Sequence, residues 1–582
     1  MSSFVAKINS IKNWQAALAV TCLGLATFSR GLANPFLGDD IDQIVNNPVV
    51  HSLSNAHLLF AGSTFYNGGG IAPLSGIYYR PLMSTAYSIV YALFGAQPVA
   101  FHLFQLVVCI ASAFLLYLIC KGLAKPYIAL VAAALFLVHP LNSEIVFAIP
   151  ALQDALFVFF GLLAFCVLLY FHSTRSLFVV AGCLFLSFLS KESGLLFAIM
   201  IATYLVWFDK KRLKAFMAIL ATPLIVYLIL KLHAVGLGSP SHNAPIDSVS
   251  FAGRLLTVPA IIELYIVKFV FPLSLASGYF FVYSSVSFDH FFVPLLVDLV
   301  AIATIVFAGY LVHRRKDDKV FSAFLFFAVW ATLGLTLHLQ VFPLDFTASE
   351  TWFYFPMIGI LGMACLLLES LMIKVTVHQL VFVSIALLVI ATFAIRSTVR
   401  AADWSSLDVL AASDIAASKD DYNAYLNKAN SLILQGKFNE AEPDVLQSIK
   451  LHPSYTNYYD YGLILAHRGD YEGTIAALRN GLKYGDYNLI YQVMTELTLV
   501  SGTAESDKQL LLEVQQKYPT DSKIWLYSAI FYDLHNDNTS AQLAITKAAQ
   551  YGSIPQSIYG FIMNNQPYTV GAPDLGRNIV IP

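Results

Sequence analysis

The sequence predicts an all-α protein in two parts, a polytopic helical membrane domain followed by a helical-repeat solenoid. Of its 582 residues, 58% are hydrophobic and only 12% are charged, about half the charged fraction of an ordinary soluble protein. The long apolar runs lie in residues 1–400, whereas residues 401–582 have the composition of a soluble domain. The net charge of −2 provides no basic face for nucleic acid.

The apolar segments set the number of membrane crossings. A helix needs about 20 mostly apolar residues to span a bilayer, with about 17 as the lower limit. Several candidate segments are short or lie close together, so we predict about 11 or 12 spans. The segments are 14–30, 99–121, 126–141, 151–171, 176–190, 194–208, 213–232, 256–276, 291–312, 320–340, 352–373 and 377–396.

Short basic loops predict the orientation of these spans, because such loops stay on the cytoplasmic side. An even number of segments separates each of the first three basic loops from the next. On this criterion, loop 31–98 and the C-terminal domain both face away from the cytoplasm. The basic loops are Lys121 with Lys125, Arg175, Lys210 to Lys214, and Arg314 to Lys316.

One stretch does not fit this orientation. Three apolar segments lie between the basic loops at Lys214 and Arg314. If both loops are cytoplasmic, an even number of crossings must separate them, so one of the three segments does not cross. Pro259 and Pro272 interrupt the segment 256–290, so we expect it to be re-entrant, split or interfacial.

The loop 31–98 is the longest polar stretch of the membrane domain. Its segment 84–95 is apolar but too short to cross, so we expect it to lie in the membrane interface. A structured loop of this length is more often functional than a simple connection.

The C-terminal part repeats with a period of about 34 residues, the length of a tetratricopeptide unit. Four units fill residues 422–555, after a linker at 401–421 and before a tail at 556–582. Such repeats stack into a solenoid with a concave surface, which either stabilises the membrane domain or binds a protein partner or substrate. The repeat positions are Gly436, Phe438, Ala441 and Pro453; Tyr458, Gly462, Gly469 and Tyr471; Tyr491, Gly502 and Pro519; and Trp525, Ala529, Ala541 and Ala548.

Two features of loop 31–98 point to chemistry. Asp39 and Asp40 follow the first span, where one carboxylate can take a proton from a hydroxyl while the other orients it or holds a divalent cation. The alternative is an acidic turn that caps the next helix. The forked donors of Arg80 suit a phosphate and Tyr79 suits a sugar or lipid headgroup, although Arg80 could equally snorkel at the membrane surface.

Further polar residues stand at the outer ends of other spans. His139 and Glu144 follow the third span, Lys191 and Glu192 form the turn between the fifth and sixth, and Glu350 opens a later one. Each has a structural alternative as a cap or ion pair, and no Cys or His spacing is typical of a zinc site. Together they could line one outward-facing cavity for a lipid-linked phosphate and an acceptor.

The order of these motifs resembles the C-type integral-membrane glycosyltransferases, most closely the transmembrane and tetratricopeptide-repeat O-mannosyltransferases. Arg400 with Trp404 resembles that family's junction before the repeats. The motifs are Asp39-Asp40, Asn46-Asn47, Tyr79-Arg80-Pro81-Leu82, His139-Pro140 with Glu144, Ser190-Lys191-Glu192, and the block from Glu350 to Pro356.

The resemblance implies an enzyme that moves a sugar, with inversion, from a polyprenyl or dolichyl phosphate to a protein Ser or Thr hydroxyl outside the cytoplasm. It implies that Asp39 is the general base, that Asp40 positions it and that Arg80 holds the lipid phosphate. It further implies a donor site lined by Tyr79, His139, Glu144, Lys191, Glu192 and Glu350.

Two departures from the family pattern concern the sugar or the lipid. Thr351 and Gln153 stand where the family commonly has arginine, so mannose need not be the sugar. The alternatives to a protein glycosyltransferase are a transferase for lipid or cell-surface glycan, and a non-catalytic scaffold or transporter that recruits partners through its repeats.

For the location of the protein, we expect the bacterial inner membrane with periplasmic repeats, since no retention tetrapeptide ends the chain. The endoplasmic reticulum membrane is the alternative location.

Overall fold

The structure, a computed structural model, describes residues 10–66, 74–75, 77–236, 244–371, 376–501, 504–552 and 554–565. The chain divides into two compact units, Met1–Phe65 with Gly76–Lys419, and Tyr66–Ser75 with Asp420–Pro582. The predicted all-α class is confirmed. The exceptions within the described ranges are a pair of two-residue strands, Phe65–Tyr66 and Leu74–Ser75, and one isolated bridge between Tyr279 and Ala348.

The first unit contains sixteen α-helices within its described residues. Three of them begin with proline at their first position, where the missing N–H has no helical partner to lose. They are α1 Asn13–Phe28, α2 Ala56–Ala61, α3 Pro81–Phe94, α4 Pro98–Lys121, α5 Pro126–Val138, α6 Glu144–Phe147, α7 Leu152–Tyr170, α8 Ser176–Ser190, α9 Leu195–Phe208, α10 Lys210–Val235, α11 Phe251–Val270, α12 Val293–His313, α13 Asp318–Thr336, α14 Tyr354–Leu371, α15 Thr376–Arg400 and α16 Leu407–Ala417.

Short non-α turns extend several of these helices. The 3₁₀ turns are Ser29–Ala33, Leu53–Asn55, Pro140–Asn142, Ile149–Ala151, Glu192–Gly194, Glu350–Phe353 and Asp403–Ser405, and the π turns are Ile41–Val45 and Phe288–Phe292.

A helix covers each of the twelve predicted apolar segments. Among the described residues, eight helices are long and apolar enough to cross a membrane, or nine if the bent pair Pro126–Val138 and Pro140–Phe147 forms one span. Three shorter apolar helices are Pro81–Phe94, Ser176–Ser190 and Glu192–Phe208. The protein is therefore a multi-pass membrane protein.

Two ends of the first unit can be distinguished by their contacts. At the predicted cytoplasmic end, Lys121 Nζ donates to Asn13 Oδ1 at 2.7 Å. At the same end, the Lys125 backbone N–H donates to Glu369 Oε2 at 2.9 Å. The predicted functional residues lie at the opposite end, which we call the outer end.

Helix α11 explains why three apolar segments lie between the basic loops at Lys214 and Arg314. Near its start, Arg254 Nε donates to the Gln340 carbonyl at 3.0 Å. Near its end, the Phe269 carbonyl lies 3.0 Å from His139 Nε2. Gln340 follows α13 and His139 follows α5, both at the outer end, so α11 has both of its termini on that side and does not cross.

The segment 84–95, predicted to lie in the membrane interface, also has both ends on the outer side. It belongs to helix α3, which begins directly after Arg80 and leads into the outer start of α4. The other helices of 13 or more residues in the first unit's described ranges are α1, α4, α5, α7 to α10, and α12 to α15. Since eight or nine of the described helices meet the length and composition of a span, the count of 11 or 12 crossings stays a prediction.

Helices α13 and α14 pack closely against each other. A Cβ at Gly359 of α14 would lie 2.5 Å from the Ala331 backbone nitrogen of α13, so glycine allows the two helices to approach closely. Trp330 of α13 is fully buried and donates from Nε1 to the Phe355 carbonyl at 3.2 Å. These contacts fix the outer start of α14, where Glu350 to Phe353 form a 3₁₀ turn.

The second unit consists of helices in consecutive pairs at the positions of the four predicted repeats. Gly436 and Gly469 end the first helix of their pairs with φ of 74° and 77°, the left-handed conformation that glycine adopts without strain. Gly502 lies outside the described residues. The helices are Tyr422–Leu434, Phe438–Leu451, Tyr455–His467, Tyr471–Gly481, Asn488–Ser501, Ala504–Lys517, Ser522–Leu534 and Asn538–Tyr551, followed by Gln556–Met563.

Small residues at the predicted repeat positions are buried. Ala441, Ala529, Ala541 and Ala548 are fully inaccessible to solvent, as expected where two helices of a pair touch, whereas the aromatic positions Phe438, Tyr458 and Tyr471 are half-buried. The identity of the pairs as tetratricopeptide repeats, and the bounds of the four predicted segments, stay predictions.

Candidate active site

The acidic turn after the first span places its two carboxylates in different surroundings. Gly38 has a φ of 53°, and the chain then enters a short helical turn. Asp39 is exposed, whereas Asp40 is only 3% exposed. The Leu37 N–H donates to Asp40 Oδ2 at 2.8 Å, while Asp40 Oδ1 is buried without a partner. Asp40 therefore holds the turn, and Asp39 is free to meet a ligand.

The electrostatics of this turn suit a proton acceptor. Desolvation by the surrounding protein and the nearby Asp42 raise the pKa of Asp39 to about 6, and Arg80 opposes this rise. Burial raises the pKa of Asp40 well above its usual value. A carboxylate with a pKa of about 6 is mostly ionised at neutral pH and is a better base than an ordinary aspartate.

Arg80 lies at the start of α3, where Pro81 fixes the chain direction. Its guanidinium packs 4.6 Å from the centre of the Tyr78 ring, and the Tyr78 hydroxyl donates to Asp345 Oδ2 at 3.0 Å. Arg80 Nη2 is 3.6 Å from Glu192 Oε1, and Arg80 Nε is buried without a partner. One donor of the guanidinium, Nε, thus has no partner within the protein.

A second ion pair lies beside this one. Lys191 Nζ donates to Asp154 Oδ1 at 2.7 Å, and both side chains are largely buried. Arg80 and Glu192 are within electrostatic range of Asp154, so the two pairs form one group. We call Asp39, Arg80, Asp154, Lys191 and Glu192 the open cluster.

A second group of charges is closed to solvent. Arg400 is 1% exposed and donates from Nη1 to Asp403 Oδ2 and Ser413 Oγ, both at 3.0 Å. Its Nη2 lies 3.7 Å from Asp414 Oδ1. Asp414 also accepts from the Ser277 N–H at 3.2 Å and from the Ser277 hydroxyl. These bonds attach α16 to the outer end of the first unit.

Glu350 belongs to this closed group. Its Oε1 accepts from the Tyr279 hydroxyl at 2.9 Å and from the Ala276 N–H at 2.8 Å. Glu144, also buried, is within electrostatic range of Glu350 and Arg400, and also of Asp154 in the open cluster. Among the described residues, no hydrogen bond or ion pair joins this group to the open cluster. We call Glu144, Glu350, Arg400 and Asp414 the buried cluster.

Hydrogen bonds and ion pairs thus place the predicted site residues in two groups, and a single cavity lined by both stays a prediction. Asp39, Arg80, Lys191 and Glu192 lie in the open cluster, and Glu144 and Glu350 lie in the buried cluster. Tyr79 is buried beside the open cluster and faces Tyr227, with ring centres 6.3 Å apart.

His139 belongs to neither cluster. Its Nε2 contacts the Phe269 carbonyl at 3.0 Å, and its Nδ1 accepts from the Leu141 N–H at 3.3 Å. The ring also stacks on Phe269 at 5.1 Å. Because both ring nitrogens are occupied, the predicted donor-binding role does not fit this geometry.

The acidic turn does not provide the donors of a metal site. Within the described ranges, no group of three or more His, Cys, Asp or Glu side chains is placed to hold a metal ion. Asp40 already accepts from backbone and is buried, so the pair would offer Asp39 alone. We derive no catalytic step through a metal.

Three residues near the open cluster, Asp345, Lys231 and His338, carry no motif and were not predicted from the sequence, whereas Trp352 lies in the motif block from Glu350 to Pro356. Asp345 orients Tyr78, Lys231 is within electrostatic range of Glu192, and Trp352 stacks on His338 with ring centres 4.8 Å apart. A signal was available only for Trp352, which follows Glu350 at the start of a span.

Comparisons with known proteins show which sequences this chain is similar to. A family model described as dolichyl-phosphate-mannose-protein mannosyltransferase matches residues 80–234, a range that includes Arg80, Asp154, Lys191 and Glu192. A protein O-mannosyl-transferase of Caenorhabditis elegans is 22% identical over 75% of this chain and 63% of its own length. The human protein O-mannosyl-transferase TMTC1 is 32% identical over 29% of this chain and 21% of its own length. The predicted family resemblance is confirmed.

The O-mannosyltransferase relatives also bear on location. The chain spans less than two thirds of the length of these relatives. They are animal proteins, as is the mouse protein O-mannosyl-transferase TMTC3, 25% identical over 26% of this chain and 16% of its own length. The comparisons therefore give no support to the bacterial inner membrane, the first of the two predicted locations.

Proposed function

We propose that this protein is a glycosyltransferase that moves a sugar from a polyprenyl or dolichyl phosphate to a Ser or Thr hydroxyl of a protein. The observation that carries the proposal is the pairing of an accessible carboxylate of raised pKa, Asp39, with a guanidinium that keeps a free buried donor, Arg80. Matches to protein O-mannosyltransferases support the reaction class.

The two groups serve the two ends of an inverting displacement. Asp39 takes the proton of the acceptor hydroxyl as its oxygen attacks the anomeric carbon. The bond from that carbon to the phosphate oxygen breaks, and its electron pair stays on the lipid phosphate. Arg80 stabilises the resulting negative charge, so the leaving group needs no proton.

The remaining members of the open cluster hold these two groups in place. Glu192 contacts Arg80 at 3.6 Å, and the Lys191–Asp154 pair at 2.7 Å lies beside them. The reaction takes place at the outer end, on the side away from the basic loops. Animal relatives favour the endoplasmic reticulum, the second of the two predicted locations.

The test compares purified wild-type protein with Asp39→Asn and Asp289→Asn in a panel of polyprenyl-phosphate sugars and Ser/Thr peptides. Asp289 is an exposed carboxylate of the outer loop before α12, and it serves as the matched control. We expect Asp39→Asn to lower kcat by about 10²- to 10⁴-fold, while Asp289→Asn retains activity. Turnover that survives in Asp39→Asn would overturn the assignment of the base, and absence of wild-type turnover with every donor would overturn the proposed function.

A further inference from the structure

Under the proposed function the open cluster binds a phosphate, yet its guanidinium already faces two carboxylates. Arg80 Nη2 lies 3.6 Å from Glu192 Oε1, and Arg80 is also within electrostatic range of Asp39. The phosphodiester of a lipid-linked sugar adds a negative charge, and the lipid phosphate that leaves after transfer carries nearly two at neutral pH. A second cation beside Arg80 is therefore needed to offset the charge of this ligand.

Lys231, near the outer end of α10, is a cation in the right place. Burial would raise the pKa of Glu192, but the nearby Arg80 and Lys231 outweigh it, and the pKa of this carboxyl is lowered. The two cations thus act on the same carboxylate. Lys231 is partly exposed, so its ammonium is accessible to a ligand.

The packing of α10 fixes the side on which Lys231 lies. The buried Tyr227 has its ring centre 6.3 Å from that of Tyr79, the residue before Arg80, and 5.8 Å from that of Phe188 on α8. Lys231 follows Tyr227 by four residues, so both lie on one face of the helix. This register places Lys231 one turn beyond Tyr227, on the side of α10 that faces the segment carrying Arg80.

The surroundings of these charges are open to water. The side chain of Glu192 is 44% exposed and Asp39 is exposed. Desolvation by the surrounding protein is nevertheless the main cause of the raised pKa of Asp39. A carboxylate that is both exposed and desolvated lies on the wall of a recess rather than on a convex surface. A charged ligand can therefore approach Glu192 and the two cations from solvent.

The neighbouring side of α10 suits a hydrocarbon chain. Leu228 and Leu232 are each 45% exposed, and they stand three residues before Lys231 and directly after it. An apolar surface therefore begins beside the ammonium and continues along a membrane helix. A phosphate that carries a long hydrocarbon chain matches this combination, whereas a lysine that only snorkels to the headgroups would need no partner in the site.

We propose that Lys231 binds the phosphate of the polyprenyl or dolichyl donor together with Arg80, and that the lipid chain lies against the exposed apolar side of α10 at Leu228 and Leu232. As the bond to the anomeric carbon breaks, Lys231 offsets part of the charge that develops on the lipid phosphate. This inference rests on the proposed function and adds to it a second phosphate-binding residue and the position of the lipid chain.

The experiment measures lipid binding separately from sugar transfer. Binding of fluorescent polyprenyl phosphate in nanodiscs is titrated for wild-type protein, Lys231→Gln, Lys231→Arg and Lys214→Gln. Lys214 is exposed at the cytoplasmic end of the same helix and serves as the matched control. Polyprenol and phosphatidic acid are used as competitors, because the first lacks the phosphate and the second lacks the polyprenyl chain. Thermal unfolding confirms that each variant is folded.

We expect Lys231→Gln to weaken polyprenyl phosphate binding by about tenfold, the loss of one charge-assisted contact. Competition by polyprenol should stay unchanged, and Lys231→Arg, which keeps the charge, should bind within about threefold of wild type. Lys214→Gln should bind like the wild type.

Three results would overturn the inference: no binding of polyprenyl phosphate by the wild type, unchanged binding in folded Lys231→Gln, or competition by phosphatidic acid as strong as that by unlabelled polyprenyl phosphate. The last of these would mean that Lys231 meets any lipid phosphate. Lipid binding with the expected loss in Lys231→Gln, but no sugar transfer from any donor, would contradict the proposed function instead.

Discussion

The open cluster and the buried cluster contain similar side chains at the same end of the molecule, yet their surroundings differ. In the open cluster, Asp39 reaches solvent and the Arg80 side chain is 11% exposed. In the buried cluster, Arg400 is 1% exposed and is bonded to Asp403 and Ser413, although both arginines have an Nε without a partner. Access to a ligand, rather than charge itself, thus separates a chemical site from a structural clamp.

The buried cluster connects distant parts of the sequence. Ser277 precedes α12, Glu350 precedes α14, and Asp414 lies on α16. Ion pairs removed from water gain little net stability, but losing one partner leaves a buried charge uncompensated. Glu350, bonded to Tyr279 and Ala276, helps to hold the outer end together, and the donor-binding roles of Glu144 and Glu350 stay predictions.

The largest expected loss of activity comes from a substitution in the open cluster. We expect Arg80→Gln to lower kcat by about 10²- to 10³-fold, because a preorganised donor to the leaving phosphate is lost. Arg80→Lys should recover only part of this, since an ammonium lacks the fork of a guanidinium. Steady-state turnover measures both, and full recovery in Arg80→Lys would argue against bidentate phosphate binding.

A change in the buried cluster should affect folding instead. We expect Arg400→Gln to lower the free energy of unfolding by about 3 to 5 kcal/mol, because Asp414 and Glu350 remain buried without their cation. Thermal unfolding in detergent measures the loss. Unchanged stability would mean that the buried cluster is not a clamp.

The pH dependence should report the open cluster alone. Asp39 must be ionised to accept a proton, so kcat/KM should rise with pH and level off above about 6, the pKa of this carboxyl. Below that value we expect about a tenfold fall per pH unit. A pH–rate profile with wild-type protein provides the measurement, and an acid limb near pH 4 would place the base elsewhere.

The smallest effect should come from the neighbour of the base. Asp42 raises the pKa of Asp39, so Asp42→Asn should move the acid limb to lower pH by a fraction of a unit. Asn preserves the size of the side chain, and the plateau rate should change little. A shift to higher pH would contradict the electrostatic account of the turn.

Local patterns in the sequence predicted the helices well. Apolar length places a helix at each of the twelve segments, and the odd number of segments between Lys214 and Arg314 identified the stretch that contains α11. Both signals act within a few tens of residues. The sequence did not show that α11 has both ends on the outer side, because that depends on contacts with Gln340 and His139.

The candidate site was predicted only in part, because sequence patterns report local features and not tertiary contacts. Asp39 and Arg80 stand in one loop with recognisable motifs. Glu144 and Glu350 have the same position at outer ends of spans, but tertiary packing turns them towards Arg400 rather than Arg80. His338 and Asp345 lie in a loop with no motif, so their roles follow only from the fold.

The most direct test of the account measures turnover and thermal unfolding side by side for Asp39→Asn and Arg400→Gln. The account predicts that Asp39→Asn melts like the wild type but loses turnover, and that Arg400→Gln melts at lower temperature but keeps turnover per folded molecule. The reverse pattern, an unstable Asp39→Asn and a stable, inactive Arg400→Gln, would contradict the division between an open catalytic cluster and a buried structural one.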